Sequence, residues 1–189
     1  YITRLQNLIK TVRNPGLRAL LETIFSGAVY DKFIMNPAGM RMHHAYIGGL
    51  LQHSVDVAGI AIALAEQIGN VDKDLVVAGA LLHDIGKLRE ISSQIGFPYT
   101  NEGRLLGHIA MSVMMVQEAA AKLKLPQARL EQLQHILLSH HGDNEKGSPV
   151  VCATKEAFIV HYADEIDAIM NQFETYDDKS PWEFNKMMQ

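Results

Sequence analysis

The sequence predicts an all-α fold, a bundle of amphipathic helices. Apolar residues recur at three- and four-residue spacing along most of the 189-residue chain, which is the period of a helix with one buried face. No convincing alternation of apolar and polar residues marks a β-strand. Histidines and aspartates also fall on several separate predicted helices, and helical bundles build metal sites in their cores from side chains placed in this way.

Composition and charge limit the class of protein. Hydrophobic residues make up 48% of the chain and charged residues 20%, which is typical of a globular domain and excludes disorder. The length predicts one domain, with 1–44 as a helical lead-in, 45–173 as a metal-binding core and 174–189 as a C-terminal tail. The net charge of −4 gives no electrostatic sign of a nucleic-acid partner.

The expected location is cytoplasmic. The single cysteine, Cys152, excludes an internal disulfide and suits a reducing compartment. Neither a signal-peptide pattern nor an apolar run of about 18 residues is found, so no membrane association is predicted. Gly-rich and Ala-rich helical faces would permit contacts in a homo-oligomer.

The predicted helices follow one another along the chain with turn residues between them. The first 33 residues predict helices broken near Asn14–Gly16. Asp72 is a candidate N-cap, and Gly86 is placed to end the helix that Asp72 begins. Residues 91–101 predict a loop over or beside the site. The remaining helices are predicted over about 46–68, 102–123, 126–139 and 155–173.

Two of these helices place candidate ligands beside an apolar stripe. Leu105 and Leu106 belong to the predicted buried face of one helix, and His108 lies next to that face. In the last helix, Asp164 lies among apolar residues such as Ile166. A buried carboxylate without a partner costs free energy, so Asp164 requires a cation or a strong hydrogen-bond donor.

The central stretch is Leu81–Lys87, in which His83 is followed directly by Asp84. This pair offers one imidazole nitrogen and two carboxylate oxygens to a divalent cation within a single turn of backbone. The pair is predicted in the last turn of a helix, where the backbone dipole favours a cation. A His-Asp dipeptide alone is a weak signal, so the prediction depends on the other candidate ligands along the chain.

Four residues form the candidate set for one metal ion. They are His53, His83, Asp84 and Asp164, each expected to point toward the interior of the bundle. Two neutral imidazoles with two carboxylates make a mixed nitrogen and oxygen shell. Such a shell suits manganese, iron, cobalt, nickel or zinc more than calcium.

A second ion is predicted from three further histidines, His108, His140 and His141, with Asp84 bridging the two ions. Ions about 3.5–4 Å apart can hold a hydroxide and clamp a phosphoryl group for in-line attack. Lys87 is placed to neutralise charge that builds on the phosphoryl oxygens. Asp84 and Lys87 are therefore the candidate catalytic residues of a metal-dependent phosphoesterase.

Two arginines and four further histidines have less specific predicted roles. Arg41 and Arg104 are candidates for binding substrate phosphates, although an arginine on the surface or across the core is the commoner role. The remaining histidines are predicted to be structural rather than metal ligands; they are His43, His44, His135 and His161.

The order His…His-Asp…Asp resembles the HD phosphohydrolase superfamily, and the additional histidines resemble its two-metal members. Several blocks are also similar to the C-terminal HD domain of YhaM-type 3′–5′ exoribonucleases. These blocks are RMHHAYIGGLLQHS (41–54), AGALLHDIGK (78–87), YTNEGRLLGHI (99–109), LSHHG (138–142) and EAFIVHYADEIDAIMNQF (156–173).

The resemblance implies an HD-domain helical bundle with metal ions held by His53, His83, Asp84 and Asp164, and with His108 and His140 as further ligands. It also implies 3′-end trimming of single-stranded RNA, with single-stranded DNA as a second substrate, and release of nucleoside monophosphates. Manganese is the metal usually used by that family, with iron, cobalt, nickel, zinc or magnesium as alternatives. Its members carry an N-terminal OB-type domain, and this sequence has no all-β segment of that kind.

Two alternatives remain open at this stage. One is a small-molecule nucleotide phosphohydrolase or cyclic-dinucleotide phosphodiesterase, favoured by the negative net charge. Cyclic-dinucleotide enzymes of the superfamily carry a Gly-Tyr-Pro signature after the HD pair, whereas this loop reads Ile-Gly-Phe-Pro-Tyr over 95–99. The other is a non-catalytic HD scaffold, although such proteins tend to lose ligands that this chain retains.

Overall fold

The structure, a computed structural model, describes residues 1–39, 46–92 and 96–175, with side chains described through 173. Within these ranges the chain is helical, and the one β feature is an isolated antiparallel bridge between Ile91 and Tyr99. The helices are α1 (Ile2–Thr11), α2 (Pro15–Ile24), α3 (Gly27–Phe33), α4 (Gly49–Ile68), α5 (Lys73–Leu82), α6 (Lys87–Glu90), α7 (Asn101–Leu123), α8 (Gln127–Ser139) and α9 (Lys155–Thr175). The predicted all-α bundle is confirmed.

The lead-in helices are separated where the sequence predicts a break. Pro15 occupies the first turn of α2, and the Asn14 side chain caps it by accepting a hydrogen bond of 3.0 Å from the Leu17 amide. The amides of Arg13 and Asn14 donate to the Asp74 carboxylate at 3.0 and 2.7 Å. This contact joins the lead-in to the first turn of α5.

The core of the bundle is built around α5, which packs against α4, α8 and α9. Every residue from Leu75 to Leu82 is buried, so this helix has no solvent-facing side in its second half. Asp72 caps its start by accepting from the Leu75 amide at 3.1 Å, as predicted. At Gly79 an added Cβ would lie 2.7 Å from the Ile136 side chain, so the glycine lets α8 approach closely.

Gly86 has a different role from the predicted one. It adopts right-handed helical angles (φ −63°, ψ −20°) rather than a left-handed cap, and α5 already ends at Leu82. A Cβ at Gly86 would lie 2.1 Å from the His108 carbonyl oxygen and 2.6 Å from the Ser112 amide nitrogen. The residue is therefore glycine because the backbone of α7 crosses directly over it.

The predicted buried face of α7 is wrong at its start. Leu105 and Leu106 are exposed, by 83% and 48%, whereas Ile109 is buried. The cause is a kink at Gly107, whose backbone (φ 71°, ψ 157°) leaves the helical region and changes the direction of the chain just before His108. A single helical period therefore does not extend across this point.

None of the helices in the described ranges is both long and apolar enough to cross a lipid bilayer.

Candidate metal centre

The His83-Asp84 pair lies in a tight turn between α5 and α6, residues 83–86, which we call the HD turn. The turn is closed by bonds from the Ile85 amide to the Leu82 carbonyl (3.2 Å) and from the Lys87 amide to the Asp84 carbonyl (2.9 Å). The Ser112 hydroxyl on α7 donates to the His83 carbonyl and accepts from the Gly86 amide, both at 2.9 Å. These bonds fix the pair against α7 in a fully buried position.

A close contact between α6 and α7 brings His108 to the His83-Asp84 pair. At Gly103 an added Cβ would lie 2.4 Å from the Glu90 carbonyl oxygen, so α7 begins directly against the end of α6. After the kink, the His108 amide donates to the Glu90 carboxylate at 3.0 Å. Gly103 together with Gly86 thus sets the distance between α7 and the HD turn.

The first group of candidate ligands joins α4, the turn that follows α5, and α9. His53 Nε2 lies 3.1 Å from His83 Nε2, and the Oδ2 atom of Asp84 lies 3.5 Å from both nitrogens. The Oδ1 atom of Asp164 lies 3.2 Å from His53 Nε2 and 3.8 Å from His83 Nε2. Donor atoms from residues more than one hundred positions apart in the sequence therefore face one common point.

The second group consists of His108, His140 and His141, whose ring nitrogens lie within 4.8 Å of one another. The Oδ1 atom of Asp84 lies 3.4 Å from His108 Nε2 and 3.8 Å from His140 Nε2. Asp84 thus presents one carboxylate oxygen to each group. All seven residues predicted as metal ligands are brought together.

The histidine rings are oriented by bonds to their Nδ1 atoms. Backbone carbonyls can only accept hydrogen bonds, so a ring bonded to one at Nδ1 carries a proton there, and in its neutral form such a ring presents a lone pair at Nε2. Three rings are held in this way: His83 on Ala80 (2.8 Å), His140 on Leu137 (2.8 Å) and His141 on Lys146 (3.0 Å).

Two carboxylates orient the other rings, and neither was predicted from the sequence. The Oδ2 atom of Asp167 lies 2.6 Å from His53 Nδ1, and the Oε1 atom of Glu90 lies 3.2 Å from His108 Nδ1. Carboxylates in this position raise the basicity of a metal-bound imidazole and fix its direction. The available signal for Asp167 was its spacing of three from Asp164, which places both residues on one side of α9.

Three buried polar atoms at the centre test whether a metal would fit. In the described part of the chain, Asp84 Oδ1, His108 Nε2 and His140 Nε2 are buried and have no hydrogen-bond partner. Such atoms are costly unless they bind something, and all three converge between the two groups. Nitrogen and carboxylate oxygen donors with fixed orientation match the preference of divalent transition metals.

The charges of the centre follow from the same contacts. Burial raises the pKa of Asp84, but the Lys87 ammonium and the His83 ring outweigh it and hold that pKa well below its ordinary value. For Asp164 burial acts in the same direction, and the hydrogen bond to His53 and the charge of His83 outweigh it, so its pKa is also lowered. Both carboxylates are therefore ionised and ready to bind a cation.

The histidines differ in their protonation. Burial lowers the pKa of His53, but hydrogen bonds to Asp164, Asp167 and Asp84 outweigh it and raise that pKa well above its ordinary value. Burial, with the charge of His83, holds the pKa of His140 well below the ordinary value. His140 is thus neutral, as a ligand must be, whereas His53 must release a proton before it can bind a metal.

Lys87 lies against the first group. Its Nζ atom is 2.5 Å from the Oδ2 atom of Asp84, and its side chain is almost entirely buried. Burial lowers the pKa of Lys87, but the carboxylate of Asp84 outweighs it and raises the pKa. Lys87 is therefore a permanent positive charge beside the candidate metal site.

A cavity of about 180 Å³ opens onto both groups. It is lined by Asp84, Lys87, His140, His141, Lys146, His161, Asp164, Glu165 and Ala168. Arg104 is exposed and does not line this cavity, so the structure does not bring it to the centre. Arg41, His43 and His44 lie outside the described residues.

His161 lines the cavity, whereas the sequence predicted only a structural role for it. Its Nδ1 atom donates to the His140 carbonyl at 2.8 Å, and its Nε2 atom lies 3.9 Å from the Oε2 atom of Glu165. Gly142 (φ +91°) lies so close that an added Cβ would be 2.5 Å from the ring. The apolar sequence around His161 gave no sign of this position.

An all-α bundle with a buried histidine and aspartate centre defines a class of metal-binding helical domain. The comparison with protein families gives the particular family: the HD domain model matches residues 50–169, and the chain belongs to that family. The HDOD domain model also matches, over residues 3–93. No solved structure gives a significant match to the chain.

Family membership confirms the resemblance to the HD superfamily and supports a metal-dependent phosphohydrolase. HD domains bind divalent metals, in agreement with the two groups of ligands described above. The narrower likeness to YhaM-type exoribonucleases stays a prediction, as do the exact metal and the division of the chain into lead-in, core and tail.

Proposed function

We propose that the chain is a metal-dependent phosphodiesterase that shortens single-stranded RNA from its 3′ end and releases nucleoside monophosphates. The observation that carries the hydrolytic part is Asp84, which offers one oxygen to each of two histidine groups. This arrangement suits a pair of ions that share one ligand. The choice of RNA and of direction rests on the sequence blocks shared with the YhaM-type enzymes.

Divalent ions, when bound, supply Lewis-acid activation of water and of the phosphoryl group. The chain's own residues define where the substrate lies. The cations among the cavity residues are Lys87 and Lys146, and Lys87 is rigidly held by Asp84. Its ammonium is available to a phosphoryl oxygen in the cavity and stabilises the charge that develops there.

The cavity offers room for the reacting phosphate beside the ligand groups. Its volume of about 180 Å³ holds a phosphate with part of one nucleoside. The choice of a terminal rather than an internal phosphodiester rests on the likeness to the YhaM-type enzymes. Manganese is proposed as the working metal from the likeness to the YhaM-type enzymes. The imidazole-rich ligand set also suits iron, cobalt, nickel and zinc, so these metals and magnesium are to be compared directly.

A second candidate is hydrolysis of small nucleotides. It is supported by the limited positive charge at the entrance, because Lys146 is paired with Glu165 at 2.7 Å and the chain as a whole carries a net charge of −4. A long anionic strand gains little electrostatic attraction from such a surface. A mononucleotide needs only the cavity itself.

The two candidates are separated by one assay. Protein loaded with Mn²⁺ is incubated with a short 5′-labelled RNA, with the same RNA blocked at its 3′ end, and with a panel of free nucleotides. The proposal predicts a ladder of products from the open strand, none from the blocked strand, and loss of the ladder in Asp84→Asn. Phosphate release from free nucleotides alone would establish the second candidate, and bound metal without any hydrolysis would indicate a non-catalytic scaffold.

A further inference from the structure

One wall of the cavity consists of residues that take no part in the candidate metal centre. Apart from Lys87 and the candidate ligands, four residues line the cavity; they are Lys146, His161, Glu165 and Ala168. The last three belong to α9, and their spacings of four and three place them on one side of that helix. We refer to these four residues as the α9 wall.

The ring of His161 is held in the α9 wall by backbone groups. Its Nδ1 atom donates to the His140 carbonyl at 2.8 Å, and the backbone of Gly142 lies against the ring. Only 11% of the side chain is exposed, so the ring has little freedom to turn. In the neutral form of a ring held in this way, Nε2 is a hydrogen-bond acceptor.

Glu165 places a second acceptor beside the first. The Nζ atom of Lys146 donates to the Oε1 atom of Glu165 at 2.7 Å, which holds the carboxylate in place. The other oxygen, Oε2, lies 3.9 Å from His161 Nε2. This separation is too long for a direct hydrogen bond, but a hydroxyl oxygen about 2.8 Å from each atom fits between them. The two atoms therefore form a pair of acceptors that suits hydroxyl donors.

The charge of the α9 wall directs a phosphate away from this pair. An ionised carboxylate only accepts hydrogen bonds, and it repels a second anion. The ammonium of Lys87 and the candidate metal ligands line another part of the same cavity and attract a phosphate. A bound nucleotide is therefore oriented with its phosphate at the metal centre and an uncharged, hydroxyl-bearing part at His161 and Glu165.

The size of the cavity indicates which part of the nucleotide meets the α9 wall. A volume of about 180 Å³ holds a phosphate with part of one nucleoside, and the part joined directly to the phosphate is the sugar. Ala168 presents only a methyl group, which leaves room for the sugar ring. A terminal ribose carries two neighbouring hydroxyls, at C2′ and C3′, and these match the two acceptors in number and in kind.

We propose that His161 and Glu165 bind the 2′- and 3′-hydroxyls of the terminal ribose and make the site selective for ribonucleotides over deoxyribonucleotides. This inference rests on the proposed phosphodiesterase function and adds the group by which the chain end is recognised. Removal of a hydroxyl would leave a partly buried acceptor without its donor. A site built to bond a hydroxyl rejects the analogue that lacks it for this reason.

The first test measures binding. Calorimetric titration at pH 8, with Mn²⁺ present, compares adenosine 5′-monophosphate with its 2′-deoxy, 3′-deoxy and 2′,3′-dideoxy forms. The full chain should bind the ribonucleotide about 10- to 100-fold more tightly than the dideoxy form, with the two single deoxy forms between them. If the chain hydrolyses these nucleotides, the same ratio is measured in kcat/KM. Equal affinity for all four, or no binding of any, would overturn the inference.

Two variants test the residues separately. His161→Asn keeps an amide that donates to the His140 carbonyl but has no atom in place of Nε2, and Glu165→Ala removes the carboxylate. Each should lower the ratio of ribonucleotide to dideoxy affinity toward one and leave the dideoxy affinity nearly unchanged. A purely structural defect would weaken both ligands together and preserve the ratio. Glu118→Ala is the matched control, since Glu118 is exposed on α7 outside the cavity. A ratio retained in both cavity variants would contradict the assignment.

The second test uses a strand and separates this inference from the function on which it rests. Removal of the first nucleotide is timed for an RNA and for the same RNA with a 2′,3′-dideoxy nucleotide at its 3′ end. In the full chain kcat/KM should be about 10- to 100-fold lower for the dideoxy end, and Glu165→Ala should remove most of this difference. Cleavage of both ends at one rate would overturn the inference and leave the phosphodiesterase function standing. Tighter binding of the ribonucleotide without hydrolysis of any substrate would support the hydroxyl subsite and refute the phosphodiesterase function.

Discussion

Asp167 shows how much of the centre depends on residues that bind no metal themselves. Its carboxylate bonds His53 Nδ1 at 2.6 Å, so the opposite nitrogen of that ring is aimed at His83 and Asp164. Glu90 serves His108 in the same way. At the scale of single residues, the structure brings the predicted ligands together. Two carboxylates that were not predicted, Asp167 and Glu90, determine the orientation of His53 and His108.

Asp167→Asn should weaken metal binding by about 10- to 100-fold while leaving the fold intact. The amide keeps a hydrogen-bonding group beside His53 but removes the charge that makes the imidazole a stronger ligand. Calorimetric titration with Mn²⁺ measures the affinity. Asp56→Asn is the control, because Asp56 lies on the same bundle but pairs with Arg4 at the surface. Equal metal affinity in both variants would contradict the role given to Asp167.

Lys87→Ala should reduce the turnover number by about 10²- to 10³-fold, with a smaller loss of bound metal. The reason is that the ammonium of Lys87 faces the cavity and is not a ligand. Turnover and metal content are measured on the same sample by kinetics and elemental analysis. If turnover number and metal content fell in proportion, Lys87 would have only a structural role at the metal site.

At the scale of elements, two features of α7 control the geometry: its kink at Gly107 and its crossing over the HD turn. The kink at Gly107 turns the chain so that His108 reaches Asp84, and the backbone of α7 then passes within contact of Gly86. Apolar periodicity predicted the existence of this helix but placed Leu105 and Leu106 on the wrong side. A glycine in a sequence gives no sign of whether it serves as a cap, a kink or a point of close approach.

Gly86→Ala should destabilise the protein by about 1–3 kcal/mol, because the new Cβ would meet the backbone of α7 rather than a movable side chain. It should also impair metal binding, since the HD turn must move to make room. Gly59→Ala in the middle of α4 is the control: its Cβ has space, with the Arg4 side chain at 3.6 Å, and should stabilise by about 0.5–1 kcal/mol. Denaturant unfolding of the metal-free proteins measures both; a neutral Gly86→Ala would contradict the close approach.

For the whole molecule, the metal centre couples stability to pH. The raised pKa of His53 gives the metal-free protein a stabilising contribution that is complete below pH about 6.5 and is lost as pH rises through the higher folded-state value. A metal at the same nitrogen requires the neutral ring. Metal and proton therefore compete for His53, while His140 is already neutral and adds no such competition.

The rise in melting temperature caused by saturating Mn²⁺ should consequently be larger at pH 8 than at pH 6. The melting temperature rises less at pH 6 because the metal must displace a proton from His53. At pH 8 the His53 ring is more often deprotonated, so the metal binds with less competition. Thermal unfolding with and without metal at both pH values measures the effect. A larger rise at pH 6 would show that His53 is not a ligand.

The sequence by itself determined the helical class and the chemical types of ligand. Helical periodicity is local, so α2, α5 and α8 could be predicted from their own residues, and His83-Asp84 with the other histidines indicated a metal site. Only the tertiary structure decided that Asp84 serves both histidine groups, that His161 faces the cavity and that the outer side of α9 is exposed. These features depend on contacts between α4, α5, α7, α8 and α9, and the directions in which separate helices face one another are not encoded in the period of any one of them.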